Sequence, residues 1–359
     1  MKEVILHVGL HKTGTTTIQR ALKGYNQSGT IYAPFEDKNH GRAMHAIFSD
    51  NPYDYTIYWK HRGYTERGMR AERAKYLSEL NSHIEELKCD RLIYSGEAMS
   101  MLRPDEQQRM VAYFRDRGCK VKVIAMVRHP HSWVISRSQE RAKYGEKYPA
   151  KLNPSFKQRL SGFQKALPKE DFLVFDFDAV VEQGDLIRFF AAQLEIELKP
   201  VKSLNRSISL QALALLYRIN NLQIDTFGSM AKFKARTIFN QKARQNLSVE
   251  NGCESLSSLD ANHFLHEDTQ IDCDWLRANY AIDYPIAFRE LDRDELEKKI
   301  AQCLDGFNPQ IAKVFNDLGS GYNAKWSLDK NLTYAFKQLH RNQIIATVRE
   351  TISRPFGRR

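Results

Sequence analysis

Short apolar runs alternate with longer amphipathic segments through the first half of the chain. Residues 4–8 are mostly apolar and end at Gly9, which is the pattern of a short buried strand. A polar loop rich in glycine and threonine follows, and Ile18, Ala21 and Leu22 then recur at the spacing of one helix face. A strand, a glycine-bearing loop and a helix in this order are typical of a phosphate-binding α/β unit.

The alternation continues to about residue 195. It predicts strands at 91–95, 121–127 and 173–175, and helices that begin at Pro104, Pro130 and Asp185. Because strands alternate with helices, the sequence predicts an α/β fold with a mostly parallel central sheet and helices on both faces. Ligands of such sheets bind at the carboxyl ends of the strands.

Strand signals fade after about residue 205, and the C-terminal region is predicted to be helical, at 210–222, 231–244 and 291–315. The last stretch, 326–359, is predicted to be a basic helical tail. Its basic residues outnumber its acidic ones, with Lys330, Lys337, Arg341, Arg349, Arg354, Arg358 and Arg359 against Asp329 and Glu350. Packing or solvation would explain these charges, and so would contact with an anionic membrane or a glycan-assembly complex.

The composition is that of a globular protein, with 42% hydrophobic and 27% charged residues and no low-complexity run. The 54 Lys and Arg exceed the 43 Asp and Glu, which gives a formal net charge of +11. Such an excess favours an anionic partner, whether nucleic acid, a nucleotide, an acidic glycan or a membrane surface. A solvated basic surface explains the charge equally well.

The cysteines are odd in number and lack the CxxC spacing of zinc sites: Cys89, Cys119, Cys253, Cys273 and Cys303. We interpret them as free thiols, as in a reducing compartment. The first apolar run is too short for a signal peptide or a membrane span, and no later run reaches roughly 18 apolar residues. The sequence therefore predicts a cytoplasmic protein.

The loop after the first strand reads GLHKTGTTT, starting at Gly9. Gly9 and Gly14 have the spacing of the nucleotide-triphosphatase pattern GxxxxGKS/T, but Thr15 stands where that pattern has its lysine. The lysine lies inside the loop instead, at Lys12. From there an ammonium group can neutralise charge that develops on a departing phosphate, a role realised mainly in the transition state.

The start of the following helix is a second reason to expect an anion here. Consecutive backbone N–H groups at a helix N-terminus bind anions, and the helix dipole favours negative charge there. Hydroxyl groups near this point add neutral donors, at Thr13, Thr15, Thr16 and Thr17. The loop is therefore predicted to bind phosphate oxygens.

Residues 7–16, HVGLHKTGTT, resemble the 5′-phosphosulfate loop of the sulfotransferases, whose hallmark is a K-S/T-G-T-T run at the first strand–helix turn. The donor in that family is 3′-phosphoadenosine 5′-phosphosulfate, and the family's lysine assists departure of the bridging oxygen. The resemblance implies a P-loop-containing fold and a catalytic role for Lys12. It also implies that the loop binds the donor through His11, Lys12, Thr13, Gly14, Thr15, Thr16 and Thr17.

A second motif agrees with the first. Family members carry an arginine at the end of a later strand and a serine eight positions on, which together hold the donor's 3′-phosphate, and Arg128 and Ser136 match. A guanidinium offers a fixed fork of donors that suits a phosphate. Residues 175–178 and 205–209 also resemble bacterial carbohydrate sulfotransferases, so the likeness covers residues 1–210 well and the remainder loosely.

The resemblance implies one sulfotransferase α/β domain over residues 1–325, with the basic tail over 326–359. Within that domain, residues 1–210 would form the nucleotide-binding core and residues 211–325 a helical region on the acceptor side. The product would be adenosine 3′,5′-bisphosphate. No metal is required, because a sulfuryl group carries less charge than a phosphoryl group and a lysine with loop amides can suffice.

Sulfuryl transfer is helped by a base near the acceptor hydroxyl, and the family uses a His or a Glu whose position differs between branches. Glu97 is the first candidate, because it follows a predicted strand beside the donor site. His40 is a further catalytic candidate and His45 another, since both follow the first helix, where acceptor loops commonly lie. Glu36 is the fourth. Ordinary core or surface roles stay open for each of them.

The acceptor is indicated by a stretch at 53–64 that interleaves aromatic and basic residues. Flat rings stack on the apolar faces of sugars, and Lys60, Arg62 and Arg67 could meet acidic groups. A second basic set lies in a predicted helix, at Lys232, Lys234, Arg236, Lys242 and Arg244. Both sets suit a polysaccharide, oligosaccharide or glycolipid acceptor, including an acidic one, and no nucleic acid is expected. Core packing and solvation explain them equally well.

Two other functions stay open. A P-loop kinase of a small metabolite would depend on Mg²⁺ and prefer ATP, but Thr15 in place of the usual lysine argues against it. A non-catalytic polyanion-binding protein would explain the net charge but not the loop. The sequence therefore predicts a bacterial, soluble sulfotransferase that acts on a carbohydrate.

Overall fold

A mostly parallel sheet lies at the centre of the N-terminal part of the chain. The computed structural model describes residues 1–53, 65–147, 150–201, 208–222, 224, 229–290 and 293–353. These fall into two units: Met1–Trp133 with Asn153–Asn205 and His266–Ala287, and Val134–Leu152 with Arg206–Leu265 and Phe288–Arg359. The sheet belongs to the first unit.

The sheet has six strands among the described residues, in the order β2-β3-β4-β1-β5-β6. They are β1 (Glu3–Gly9), β2 (Asn26–Gln27), β3 (Thr30–Tyr32), β4 (Arg91–Ser95), β5 (Lys120–Val127) and β6 (Phe172–Asp176). Strand β2 runs antiparallel to β3, and every other pairing is parallel. The central strands β1 and β5 are buried on both faces, which is why their sequences are almost continuously apolar.

Helices cover both faces of this sheet. They are α1 (Thr15–Leu22), α2 (Gly41–Phe48), α3 (Glu66–Glu85), α4 (Pro104–Arg115), α6 (Phe156–Ala166), α7 (Phe177–Glu182), α8 (Leu186–Leu194) and α11 (Thr269–Tyr280). Alternate residues of β1 point to opposite faces, so that Ile5 packs with α1 and α8 while its neighbours Val4 and Leu6 pack with α2, α3, α4, α6 and α11. The prediction of an α/β fold with a mostly parallel sheet flanked by helices is confirmed.

The chain connections form a topological switch point at the carboxyl ends of β1 and β5. From β1 the chain passes through α1 to β3, on one side of β1, whereas from β5 it passes to β6, on the other side. The loops that follow these two adjacent strands therefore diverge. In open α/β sheets such a switch point is where ligands bind.

The second unit is helical. It contains α9 (Leu210–Asn221), α10 (Met230–Asn246), α12 (Arg293–Gln302), α13 (Asn308–Asp317) and α14 (Leu328–Ser353), and residues 134–143 of α5 (Pro130–Lys143). Helical structure in the C-terminal region is thus confirmed. The first half of α14 packs through buried Leu332, Phe336 and Leu339, and α10 is its main partner. No helix among the described residues is both long and apolar enough to span a bilayer.

One member of the predicted basic set serves the core of this unit. Arg236 is buried, and its Nη2 donates to the carbonyl oxygen of Ala142 at 3.0 Å and to Oδ1 of Asn220 at 2.6 Å. Burial lowers the pKa of Arg236 to about 9. The Arg236 guanidinium therefore forms hydrogen bonds inside the helical unit, where it links α10 to α5 and α9.

Several elements of the first unit were not expected from the sequence, among them α3, α6 and α11. Strands β2 and β3 form a short antiparallel hairpin, and Ser28 and Gly29 between them both have positive φ values. The segment expected to hold acceptor loops instead folds as α2, with His40 as its N-cap residue and His45 inside it. All five cysteines are free thiols, and Cys119, Cys253 and Cys273 are buried.

Four buried histidines make the stability of the protein depend on pH. Burial lowers the pKa of His7 and His40 to about 3 and that of His45 and His83 to about 4, from 6.5. Between these values the unfolded chain binds more protons than the folded chain. The contribution of the neutral histidines to the free energy of unfolding is therefore complete above about pH 6.5. Below that pH, the free energy of unfolding should decrease by about 1 kcal/mol per pH unit for each histidine.

Denaturant unfolding at pH 7, 6 and 5 measures this dependence. A His83→Gln variant should show a shallower loss. His266→Gln serves as the control, because that side chain is 50% exposed, and it should leave the slope unchanged. Equal stability at pH 7 and pH 5 would contradict the prediction.

Candidate functional site

The β1–α1 loop turns sharply into its helix through two left-handed residues. Lys12 and Gly14 both have φ of +73°, and Gly14 is the N-cap residue of α1. No described side chain caps the first turn of α1. A left-handed conformation is costly for a residue with a Cβ, so the conformation of Lys12 must be held by its surroundings.

Two glycines of the loop are required by space, and Gly14 is required by its positive φ as well. A Cβ on Gly9 would lie 1.9 Å from Oγ1 of Thr15, and a Cβ on Gly14 would lie 2.4 Å from Cδ2 of Leu186 in α8. The loop thus returns closely over the end of β1. This packing explains the glycine spacing that the sequence analysis used.

The threonines of the loop differ in what they can offer a ligand. The hydroxyl of Thr13 is buried and donates to the carbonyl oxygen of Leu10 at 2.6 Å, so its single proton is used within the loop. The hydroxyl of Thr15 is also buried, and no described group hydrogen-bonds to it. Thr16 is exposed and Thr17 is half-buried. The side chains accessible to a ligand are therefore those of Thr16 and Thr17.

Arg128 leaves the carboxyl end of β5 and reaches the loop. Its Nη1 donates to the carbonyl oxygen of Lys12 at 3.1 Å, and its Nε donates to Oδ1 of Asp178 at 3.3 Å. The guanidinium carbon lies 5.3 Å from the centroid of the Phe177 ring. The structure thus brings Arg128 together with the β1–α1 loop at the switch point between β1 and β5.

Asp178 is a site residue to which sequence analysis assigned no role. It lies in the first turn of α7, and its backbone N–H donates to Oδ1 of the N-cap residue Asp176 at 3.0 Å. Its Oδ2 accepts from the backbone N–H of His129 at 2.9 Å and from the hydroxyl of Ser132 at 3.4 Å. The available signal was a carboxylate just after a predicted strand, at the sheet edge where Arg128 also emerges.

Glu97 and His11 form a second contact across the loop. Glu97 begins a short 3₁₀ turn directly after β4, which is the other neighbour of β1. Its Oε2 lies 3.0 Å from Nδ1 of His11, and the two side chains are 26% and 17% exposed. A carboxylate and an imidazole are thus held together beside the loop with access to solvent, which is an arrangement suited to moving a proton.

His40 lies in the core. It is 1% exposed, its ring stacks on Tyr32 with centroids 4.3 Å apart, and its Nδ1 accepts from the backbone N–H of Ser95 at 3.3 Å. Burial lowers its pKa to about 3, so the ring is neutral with its proton on Nε2. No described group is within hydrogen-bonding distance of that Nε2.

The other predicted site residues have different surroundings. His45 is buried within α2, and burial lowers its pKa to about 4. Glu36 is 92% exposed, with its carboxylate 3.8 Å from Nζ of Lys75. Ser136 belongs to the second unit, where it is a half-buried residue of α5.

The predicted acceptor residues are described only in part. Arg67 is exposed in the first turn of α3, whereas Lys60 and Arg62 lie outside the described residues. Residues 205–207 of the later resemblance are outside them as well. Within the described part of the chain, no three His, Cys, Asp or Glu side chains gather as a set of metal ligands.

The chain was compared with family models and with curated proteins. No family model matches it, and no curated protein matches it significantly. The candidate functional site is the cluster formed by the β1–α1 loop, Arg128, Asp178, Glu97 and His11.

Gly9→Ala tests the close packing of the loop. The new Cβ would meet both Oγ1 and Cβ of Thr15, at 1.9 and 2.9 Å, so the backbone must shift. We expect the free energy of unfolding to fall by roughly 2 kcal/mol or more. Thermal or denaturant unfolding measures this loss, and adding Thr15→Ala should restore part of it.

Gly24→Ala is the matched control. Gly24 has φ of +74°, but no described atom lies within 4 Å of a Cβ built there, so only backbone strain of about 1 kcal/mol is expected. Equal losses for the two variants would show that the space around Gly9 is not limiting.

Proposed function

We propose that the protein is a sulfotransferase. It would move a sulfuryl group from 3′-phosphoadenosine 5′-phosphosulfate to a hydroxyl of a carbohydrate acceptor by in-line transfer. The observation that carries the proposal is the 3.1 Å contact between Nη1 of Arg128 and the carbonyl oxygen of Lys12. It supports the proposal because Arg128 and the β1–α1 loop are far apart in the sequence but meet at a switch point, which is where α/β sheets bind ligands.

The β1–α1 loop supplies the groups for the 5′ end of the donor. The uncapped first turn of α1 offers backbone N–H groups and a favourable dipole to an anion, and Thr16 and Thr17 add accessible hydroxyls. In this proposal the ammonium of Lys12 neutralises the charge that develops on the 5′-phosphate as its bond to sulfur breaks. That interaction strengthens in the transition state and therefore lowers the barrier.

Arg128 supplies groups for the 3′-phosphate. Its described contacts engage Nε and Nη1, one hydrogen each, which leaves three of its five N–H groups for phosphate oxygens. Ser136 is proposed as the second ligand of that phosphate, on the resemblance alone. A donor without a 3′-phosphate would lose these charge-assisted hydrogen bonds.

Glu97 is proposed as the base. The carboxylate accepts the proton of the acceptor hydroxyl as the new oxygen–sulfur bond forms, and the bridging sulfur–oxygen bond breaks to release adenosine 3′,5′-bisphosphate. His11 orients this carboxylate through the 3.0 Å contact. Glu97 is preferred to His40 because its side chain is 26% exposed whereas His40 is 1% exposed and enclosed by aromatic rings.

Calorimetric titration with adenosine 3′,5′-bisphosphate tests the donor assignment. The wild-type protein should bind it more tightly than ATP, and Arg128→Ala should weaken binding at least ~10-fold, or about 1.4 kcal/mol, because charged hydrogen bonds are lost. Arg109→Ala removes an equal charge from an exposed pair with Asp50 and should leave the affinity unchanged. Equal affinity for ATP would favour a kinase, and indifference to Arg128 would favour a general polyanion-binding protein.

Glu97→Gln tests the assignment of the base. Transfer of labelled sulfate to a glycan array should become ~100-fold slower or more, because general-base catalysis is lost, while the affinity for adenosine 3′,5′-bisphosphate stays the same. His40→Asn should reduce thermal stability more than turnover. Loss of turnover in folded His40→Asn, with turnover retained in Glu97→Gln, would move the base to His40.

A further inference from the structure

Asp178 holds the segment that leaves β5 through three donors. Its two carboxylate oxygens accept from Nε of Arg128, from the N–H of His129 and from the hydroxyl of Ser132. The carboxylate is itself placed by the bond between its backbone N–H and Asp176. The turn between β5 and α5 is thus fastened to the start of α7 at one point.

Arg128 passes this constraint on to the β1–α1 loop. One edge of its guanidinium is fixed by Asp178, and Nη1 is thereby directed at the carbonyl oxygen of Lys12. A guanidinium is planar and its donors have a fixed geometry, so fixing one edge orients the other. With Arg128 24% exposed and Asp178 26% exposed, solvent screens the pair, and its main effect is on orientation.

The residue that receives this bond is the one under backbone strain. Lys12 has a left-handed φ of +73°, a conformation that non-glycine residues rarely adopt without support. The bond from Arg128 holds its carbonyl oxygen, and the bond from Thr13 to Leu10 closes the loop on itself. The conformation of the loop is thus supported by hydrogen bonds from the side chains of Arg128 and Thr13.

We propose that Asp178 is a positioning residue that preforms the β1–α1 loop. Its carboxylate holds Arg128 against the Lys12 carbonyl, so that the loop need not be ordered when an anion binds. A preformed site binds more tightly because less conformational entropy is lost when the ligand binds. The consequence for donor affinity rests on the proposed function, but the consequence for the loop conformation does not.

Hydrogen exchange in the nucleotide-free protein tests the loop conformation directly. In Asp178→Asn, peptides that cover residues 9–17 should exchange at least ~5-fold faster, while the midpoint of denaturant unfolding stays within experimental error. Asparagine keeps an oxygen that accepts from His129, so the turn itself can persist. Asp171→Asn is the matched control, because it removes an ion pair with Lys120 at the opposite end of β5 and should leave loop exchange unchanged.

A double-mutant cycle separates positioning from general stabilisation. If Asp178 acts through Arg128, then Asp178→Asn should add nothing to the loop exchange of Arg128→Gln. Additive effects would overturn the proposal, and so would wild-type protection of the loop in Asp178→Asn. If Asp178→Asn does not fold, the same comparison with Asp178→Glu applies, since the retained carboxylate should keep loop exchange within about twofold of the wild type.

The same variants separate this proposal from the proposed function. Asp178→Asn should bind adenosine 3′,5′-bisphosphate ~5-fold more weakly, and a Asp178→Glu variant should recover most of that affinity. If the loop exchanges faster in Asp178→Asn but the wild-type protein does not bind this nucleotide, the positioning role is supported and the sulfotransferase assignment is wrong. If loop exchange in Asp178→Asn equals that of the wild type and the wild type binds the nucleotide tightly, the positioning role is wrong and the sulfotransferase assignment is supported.

Discussion

The hydrogen bond from Arg128 to the carbonyl oxygen of Lys12 is the interaction on which the candidate site depends. It joins the ends of two adjacent parallel strands, and its donor is fixed in turn by Asp178 from a third strand end. The contact is possible because β1 and β5 are neighbours whose following connections diverge. Sheet topology therefore decides which residues meet, and the side-chain contacts decide how the loop is shaped.

The chemistry of the cluster follows from this arrangement. Arg128 from the end of β5 lies on one side of β1's carboxyl end, and Glu97, which follows β4 and contacts His11, lies on the other. In the proposed function, the anionic donor and the base would thus occupy separate places around one strand. The buried His40 and its neighbours support the sheet beneath, where neutral imidazoles are favoured by burial.

Much of the fold could be predicted from the sequence. Apolar runs located β1, β4, β5 and β6, and they are most continuous in β1 and β5, because a strand covered on both faces excludes polar residues. The β2–β3 hairpin could not be recognised, since its strands contain only two and three residues and β2 is fully exposed. Helix α2 was also missed, because its N-cap residue is a histidine whose side chain makes no capping hydrogen bond.

Site residues that are close together in the sequence could be predicted, whereas contacts between residues far apart in the sequence could not. Gly9, Lys12 and Gly14 belong to one continuous motif, so their proximity is a property of the chain itself. The partnership of Arg128 with Asp178 spans 50 positions, and no spacing rule specifies it. The burial of His40 is likewise set by packing against Tyr32, which periodicity around a short helix does not reveal.

Long sequence separation within the cluster also has a consequence for how the protein is made. The bond that shapes the loop joins residues 116 positions apart, and its support comes from beyond β6. A ribosome-bound chain that has emerged only as far as β5 carries the complete loop sequence without the groups that hold its shape. In the proposed function, full affinity for the nucleotide would therefore be acquired only after Asp178 has emerged, and shorter nascent chains would compete less well for cellular nucleotides.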